Sequence, residues 1–579
     1  MKLLVTLYII STYFASVLFA QGNSFTFVKN GELFNADGSK AAYFGVNFQS
    51  CLSWEYKERL KSSGKKFSNE LLKYNSDEGI KELITLGVQA IRLHLTPNDF
   101  TNEEGHLVDN IYSQNLDYTL SLAKKNNIKV YITLVNVMTK GYDQSSFLNK
   151  YLKNKELILT EEESLDKIEV YIKELLNHVN PYTKVAYKDE SNILFFEILN
   201  EPHYPNFKHI ENNGTYLKGY NVWLTENQKV STLQNYDAYT AEYTTEFINR
   251  MYKVIRSTGA KHPVVWNCNW NKFFNGRNAL KRAIAKSSVE GVAFCLYPGQ
   301  ANTKKPYWKH PENLENIDFT EYLEKVETKN SYLAWVNEKQ FQEKFVACYE
   351  FETFFNQSAY LYPAMADVFT NLRVQVATQW TYGLPIYAEY YNGSHFFNLK
   401  TTPVKAVSFM TASKIFNHNI LQNNKAEYGY SFKNDDCFYS DDHFFISLGK
   451  HEKNIDINLQ YPFTVIGYED NGLVKYDGKG MYSLFVDKNS ISIDIQPDSK
   501  WKYTHWDNIS NPKGEINTQL SYNKKHKIDV GLLIPEGKKV NVYRIEKGHK
   551  TLILKNKLVT DIGVNAGKYC VEWDQGKSK

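Results

Sequence analysis

Between about residues 40 and 420 the chain alternates short, almost purely apolar runs with longer amphipathic stretches. The runs are Ala42–Phe48, Val88–Leu95, Ile128–Val135, Ile193–Leu199, His262–Trp266, Gly291–Tyr297, Phe345–Phe351 and Gln375–Trp380. Runs apolar at odd and even positions alike predict strands buried on both faces. Helical patterning marks Ser76–Leu86, Ser113–Asn126, Thr160–His178 and Tyr236–Thr258. The third of these has an acidic first turn that suits the helix macrodipole. Strand and helix in alternation predict an α/β fold, a (β/α)8 TIM barrel. Ahead of it, Asn30-Gly31 and Asp37-Gly38 turns between short β-like runs predict one or two hairpins leading into the first strand.

After about residue 425 the pattern changes. Phe444–Leu448, Ile455–Leu459, Phe463–Tyr468, Met481–Val486, Ser490–Ile495, Val540–Ile545 and Tyr569–Trp573 read as short strands separated by Gly, Asn and Asp turns. That predicts a C-terminal all-β, sandwich-like domain. The expected division is a leader over 1–20, a barrel with its N-terminal hairpin over 21–424, and an accessory β-sandwich over 425–579. With no low-complexity linker, the second domain is expected to pack directly on the barrel. Two long loops, His203 to about Asn235 and Pro298 to about Glu343, are expected on the active face, the second carrying Trp308 and Trp335.

Composition narrows the class. The 579 residues are 42% hydrophobic and 23% charged, enough for a normal core and for two or three domains. A formal charge of +4 gives no reason to expect nucleic acid as a partner. Met1–Ala20 has Lys2 followed by an apolar run and a small residue before Gln21, which predicts a cleaved secretory signal. The product is expected to be secreted, periplasmic or at the cell surface, with no membrane span after cleavage. Six scattered cysteines, Cys51, Cys268, Cys295, Cys348, Cys437 and Cys570, show no metal spacing and read as buried free thiols.

The candidate chemistry sits at strand ends, which form the active face of such a barrel. The fourth run stops abruptly at Asn200-Glu201-Pro202, and the seventh reads FVACYEFETF, offering Glu350 and Glu352. Retaining glycoside hydrolysis needs two carboxyl groups across the scissile bond, one to protonate the leaving oxygen and one to attack the anomeric carbon. Glu350 and Glu352 share a face by strand alternation, so alternation does not choose between them. No P-loop, dinucleotide glycine motif or HExxH pattern is present, and no metal or organic cofactor is expected.

Asn-Glu-Pro after a strand resembles the acid/base motif of the clan A retaining glycoside hydrolases. The longer stretch Leu175–His203, LLNHVNPYTKVAYKDESNILFFEILNEPH, is similar to family 5, closest to its β-mannanase branch and of the secreted bacterial type. The resemblance implies Glu201 as acid/base and Glu350, followed by aromatic Phe351, as nucleophile. It implies Asn200 on the substrate 2-hydroxyl, Arg92 in AIRLHL beside the nucleophile, Tyr297 in FCLYPG bonded to it, and Trp380 as the sugar platform. His203 and Trp54 are further cleft candidates. Asn136 is either a sugar contact or a solvent-facing amide, His94 either a site residue or a barrel histidine, and Glu197 a structural carboxylate. The sequence departs from the family at three positions. Cys295 stands where the family usually has His, Asn136 where it often has His, and Glu352 where it often has Gly. The implied function is hydrolysis of a β-linked polysaccharide or oligosaccharide, with β-mannan or β-mannoside as the expected substrate. β-Glucan is the alternative substrate. The competing classes are a catalytically inactive carbohydrate-binding barrel and a transglycosylase.

Overall fold

The computed structural model describes residues 24–48, 68–137, 146–211, 214–268, 273–299, 317–326, 328, 331–353, 356–386, 388–390, 395–422, 425–449, 459–501, 518–558 and 561–574. The expected leader, Cys51, Trp54, Trp308 and all but Leu459 of the expected strand Ile455–Leu459 lie outside those residues.

A hairpin, β1 (Phe27–Lys29) and β2 (Glu32–Phe34), opens the fold. Its turn is Asn30-Gly31, both with positive φ, the combination a two-residue hairpin loop favours. Gln375 holds this hairpin at the barrel floor, accepting from Leu33 N and donating to Leu33 O and Ala41 O.

Eight strands then close a barrel: β3 (Tyr43–Phe48), β4 (Ala90–His94), β5 (Lys129–Val135), β6 (Ile193–Leu199), β7 (Val264–Asn267), β8 (Gly291–Leu296), β9 (Phe345–Phe351) and β10 (Val374–Tyr382). Every neighbouring pair is parallel, with β10 returning to β3. Among the described residues, the helices around it are α1 (Asn69–Thr85), α2 (Ile111–Lys125), α3 (Glu162–Asn177), α4 (Phe207–Glu211), α5 (Gly214–Glu226), α6 (Leu233–Ser257), α7 (Asn278–Lys286), α8 (Thr320–Val326), α9 (Leu361–Asn371) and α10 (Pro403–Leu421). Local signals set their ends. Asn110 and Ser113 form a reciprocal capping box on α2, and Ser68 and Thr232 cap α1 and α6. The loop expected after β6 is built largely as α4 and α5, whose aromatic side chains pack under α6. The described part of the loop expected after β8 holds α8, and Trp335 there is buried against Phe274 and Phe341.

Beyond α10 the described residues are almost all in strands and their connections. A nine-stranded sheet has the order β11 (Glu427–Ser431), β12 (Asp436–Ser440), β13 (Phe444–Leu448), β14 (Phe463–Tyr468), β16 (Met481–Asp487), β17 (Ser490–Ile495), β24 (Gly567–Trp573), β21 (Val540–Glu546) and β22 (His549–Lys557). Its pairs are antiparallel except β13 with β14. A three-stranded sheet of β15 (Lys475–Tyr476), β20 (His526–Asp529) and β23 (Asp561–Val564) covers one face through a shared apolar core. A short pair, β18 (Asp498–Trp501) with β19 (Thr518–Ser521), completes the region. On the other face, Cys437, Tyr439, Ile446 and Ile466 join the core that surrounds the barrel. Helix α10 is buried nearly all round because it lies between barrel and sheet. The described cysteines are free and buried; Cys295 and Cys348 lie in β8 and β9, and Cys268 falls just past β7.

Candidate active site

Arg92, near the end of β4, is the hub. It is fully buried, and its guanidinium spans the lumen. Nη1 donates to Glu350 Oε1 at 2.8 Å and to Asn47 Oδ1 at 3.1 Å. Nη2 donates to Glu197 Oε2 at 2.7 Å and to Asn200 Oδ1 at 2.9 Å. Nε donates to Thr133 Oγ1 at 2.8 Å and Glu197 Oε2 at 3.0 Å. Burial works against the charge, but Glu197 and Glu350 more than offset it, so Arg92 is held above its ordinary pKa. Glu197 also accepts from Asn267 Nδ2 at 2.6 Å and Thr133 Oγ1 at 2.5 Å. A carboxylate inside a barrel persists because it is paired and hydrogen-bonded in this way.

Glu350 takes a second donor, the Tyr297 hydroxyl, at 2.8 Å on Oε2. Burial and then the nearby Glu201 carboxyl push the Glu350 pKa up, to about 8, while Arg92 and Tyr297 pull it down. Two such groups lose their protons as a pair. Geometry assigns the shared proton to Glu201, because Arg92 can only donate and its full charge lies 2.8 Å from Glu350. Glu201 follows β6 with φ of 43°, a left-handed backbone that a non-glycine residue adopts at a cost of about 1–3 kcal/mol. Pro202 follows it. Its Oε1 accepts from the Tyr349 hydroxyl at 2.9 Å.

Glu352 lies elsewhere. Strand β9 ends at Phe351, and the Glu352 carboxylate accepts from Tyr362, Gln379, Lys405 and the Thr353 backbone N–H. The expectation that Glu350 and Glu352 share a face is therefore corrected: Glu352 lies beyond the end of the strand and is a buried ion-pair partner of α10.

The remaining candidates divide. Asn200 is part of the hub and donates to Asn136 Oδ1 at 3.3 Å. Asn136 is buried, donating in turn to Thr96 Oγ1, so it is not a solvent-facing amide. Trp380 is half-buried at the end of the lumen, with the His94 ring edge-on at 5.6 Å. His94 is held neutral, first by burial and then by Arg92. His203 is not brought into the cluster; it is exposed and paired with Glu156. Trp54 lies outside the described residues.

Sequence reasoning missed Asn47, Thr133, Asn267, Tyr349 and Lys155. The first three are polar residues inside or ending apolar strands, which is a usable signal. Lys155, whose pKa burial lowers and Glu201 raises, comes from a 3-10 turn before α3 and has no such signal. Tyr349 is hidden by the strand irregularity.

The chain is similar in part to known proteins. Residues 41–308 match the family model described as Cellulase (glycosyl hydrolase family 5). Mannan endo-1,4-beta-mannosidase 3 of Arabidopsis thaliana is 30% identical over 95 residues, 15% of this chain and 23% of that protein. Mannan endo-1,4-beta-mannosidase 4 of Solanum lycopersicum is 30% identical over 99 residues, 16% of this chain and 25% of that protein. The chain thus spans about a quarter of the length of the curated relatives it matches. These are plant proteins and give no support to the bacterial type expected from the sequence. Among solved structures, the endo-1,4-beta-mannanase from Rhizomucor miehei aligns at 16% identity and TM-score 0.46, over 68% of this chain and 99% of that one. Through residues 41–308 of its barrel, this chain is similar to glycosyl hydrolase family 5.

Proposed function

We propose that the barrel is a retaining O-glycoside hydrolase acting on β-linked mannan or mannosides. The observation that carries this reading is the placement of two carboxyls in unlike surroundings. Glu350 is clamped by Arg92 and Tyr297, and Glu201 is held apart from that clamp by Tyr349. Such a split is what an ionised nucleophile and a protonated acid require. Glu350 attacks the anomeric carbon while Glu201 gives its proton to the leaving oxygen. Water, deprotonated by Glu201, then displaces Glu350 from the sugar, and both carboxyls return to their starting states. Asn200, fixed by Arg92 and Asn136, is positioned for the 2-hydroxyl, and Trp380 for the sugar face.

The preference for mannan rests on the printed activity of the curated relatives. β-Glucan is the second reading, favoured by the description of the matching family model. Export through Met1–Ala20 is part of the proposal. The test is hydrolysis of aryl β-glycosides, mannan, β-glucan and xylan by wild type and by Glu350→Ala. Turnover confined to mannosides and abolished in the variant supports the reading. Turnover confined to β-glucan transfers it to the second substrate. Glycan binding without turnover overturns it in favour of a binding barrel, and transfer to added sugar acceptors in place of water overturns hydrolysis.

A further inference from the structure

Strand β9 sends two successive side chains, Tyr349 and Glu350, toward the same cluster. In a regular strand they would face opposite sides. Here the ladder to β8 skips a residue, with Phe294 opposite Cys348 and Cys295 opposite Glu350. The ladder to β10 shifts over the same span, with Ala377 opposite Cys348 and Gln379 opposite Phe351. A bulge of this kind re-aims a side chain. It carries the fully buried Tyr349 phenol to Glu201 Oε1, at 2.9 Å. Beneath the hydroxyl lies the Cys295 thiol, in hydrogen-bond contact with it. Above the ring lies the Arg92 guanidinium, 4.8 Å from its centroid. The phenol therefore touches both halves of the site.

Cys295 is the position where the resemblance leads one to expect histidine. A side chain of imidazole size there would collide with the Tyr349 hydroxyl, because the small thiol already touches it. We propose that Tyr349 is a positioning residue for Glu201, its phenol occupying space that Cys295 leaves open and setting the orientation and proton affinity of the acid/base carboxyl. The proposal rests on the reading of Glu201 as that acid/base. Among the described groups that face Glu201 are Glu350 and Tyr349 from β9, Cys295 and Tyr297 from the end of β8, and Lys155 from the turn before α3. Glu350 favours the protonated form of Glu201, and Lys155 favours the ionised form. A donated hydrogen bond favours the ionised form as well. Burial and the neighbouring charges keep the Tyr349 hydroxyl protonated far above neutrality, so this donor does not switch off in the working range as an imidazole would.

The experiment compares the pH dependence of kcat/KM of wild type and Tyr349→Phe on an aryl β-glycoside. Phenylalanine keeps the ring beneath Arg92 and removes only the donor. The alkaline limb, which reports loss of the Glu201 proton, is expected to move up by about one pH unit. The acidic limb stays, since Arg92 and Tyr297 still hold Glu350. Cys295→Val, which enlarges the side chain under the phenol, moves the alkaline limb in the same direction by a smaller step. It serves as the second variant if Tyr349→Phe does not fold. A uniform loss of activity with both limbs unmoved overturns the proposal and leaves Tyr349 as packing. If wild type turns over no glycoside, the acid/base reading itself fails. The contact is then tested by 13C NMR titration of the Glu201 carboxyl, where the same upward move supports it and an unchanged titration overturns it.

Discussion

Neutralising Glu350 and neutralising Glu352 are expected to have opposite consequences, although the residues are two apart. In Glu352→Gln the buried Lys405, 2% exposed, loses its anion, and Tyr362 and Gln379 lose a charged acceptor. Removing one partner of a buried, hydrogen-bonded pair costs about 3–5 kcal/mol. The barrel's urea unfolding free energy should fall by that amount, while kcat/KM of the folded fraction stays within about threefold, because the side chains that bond Glu352 are different from Arg92 and Tyr297, which bond Glu350. In Glu350→Gln the energetics reverse. Arg92 keeps Glu197, and the cost of burying the Glu350 charge disappears. Unfolding free energy should hold within about 1 kcal/mol or rise. Turnover should fall by on the order of 10⁴-fold, the scale of removing a nucleophile that acts in concert with an acid/base. Near-UV circular dichroism in urea and steady-state kinetics on one aryl glycoside measure both quantities. Turnover that survives in Glu350→Gln and vanishes in a fully folded Glu352→Gln would refute the assignment and the geometry behind it.

Three further outcomes follow from the same contacts. Arg92→Lys cannot reproduce a fork that reaches Glu350, Glu197, Asn200 and Asn47 together, so kcat should drop by about 10³-fold with a loss of stability of about 3 kcal/mol, read by kinetics and urea unfolding. Trp380→Ala should raise KM by roughly tenfold, about 1.4 kcal/mol of lost ring contact, with kcat less affected; an unchanged KM removes Trp380 from the sugar site. His178 is raised above its ordinary value chiefly by its hydrogen bond to Asp117. Its stabilisation is full below its unfolded pKa of about 6.5 and fades as pH rises through the higher folded value. His178→Gln should therefore trail wild type more at about pH 5.5 than at about pH 9, and an equal deficit at both refutes the pairing.

The barrel was legible in the sequence because strands buried on both faces leave a period-free apolar signature. Ile193–Leu199 and Phe345–Phe351 were placed residue for residue. Helix α10 was not, since a helix buried nearly all round has no polar face to give it a period. Helices α4 and α5 interrupt a connection in which the polar composition reads as loop. In the site, Asn200, Glu201 and Glu350 stand out as polar residues at the ends of apolar strands, and Arg92 and Tyr297 are reached through the family resemblance. Tyr349 is reached by neither: period-two alternation assigns it to the face opposite Glu350, and the bulge that brings it into the site is a property of strand pairing, set between chain segments far apart in sequence.

Asn180–Glu190 is the middle of the Leu175–His203 stretch that resembles the β-mannanase branch. It connects α3 to the start of β6, so it lies at the opposite end of the barrel from the carboxyls. Its side chains serve the scaffold. Asn180 donates to Asp117 O and caps the turn through Tyr182 N and Thr183 N, and Tyr187 donates to the Asp117 carboxylate. A segment so placed can preserve descent without touching a sugar. Substrate choice has to be written at the other end, in the groups around Glu201 and Trp380. There the chain departs from the family pattern it resembles, with Asn136 and Cys295 in place of histidines. Both departures are structurally absorbed, Asn136 by bracing Asn200 and Cys295 by making room for Tyr349. A chain that resembles one branch in its scaffold while differing in the contacts to the proposed acid/base carboxyl is expected to share that branch's fold more closely than its pH profile. The comparison of Tyr349→Phe with wild type therefore bears on how this barrel differs from its relatives as well as on how it works.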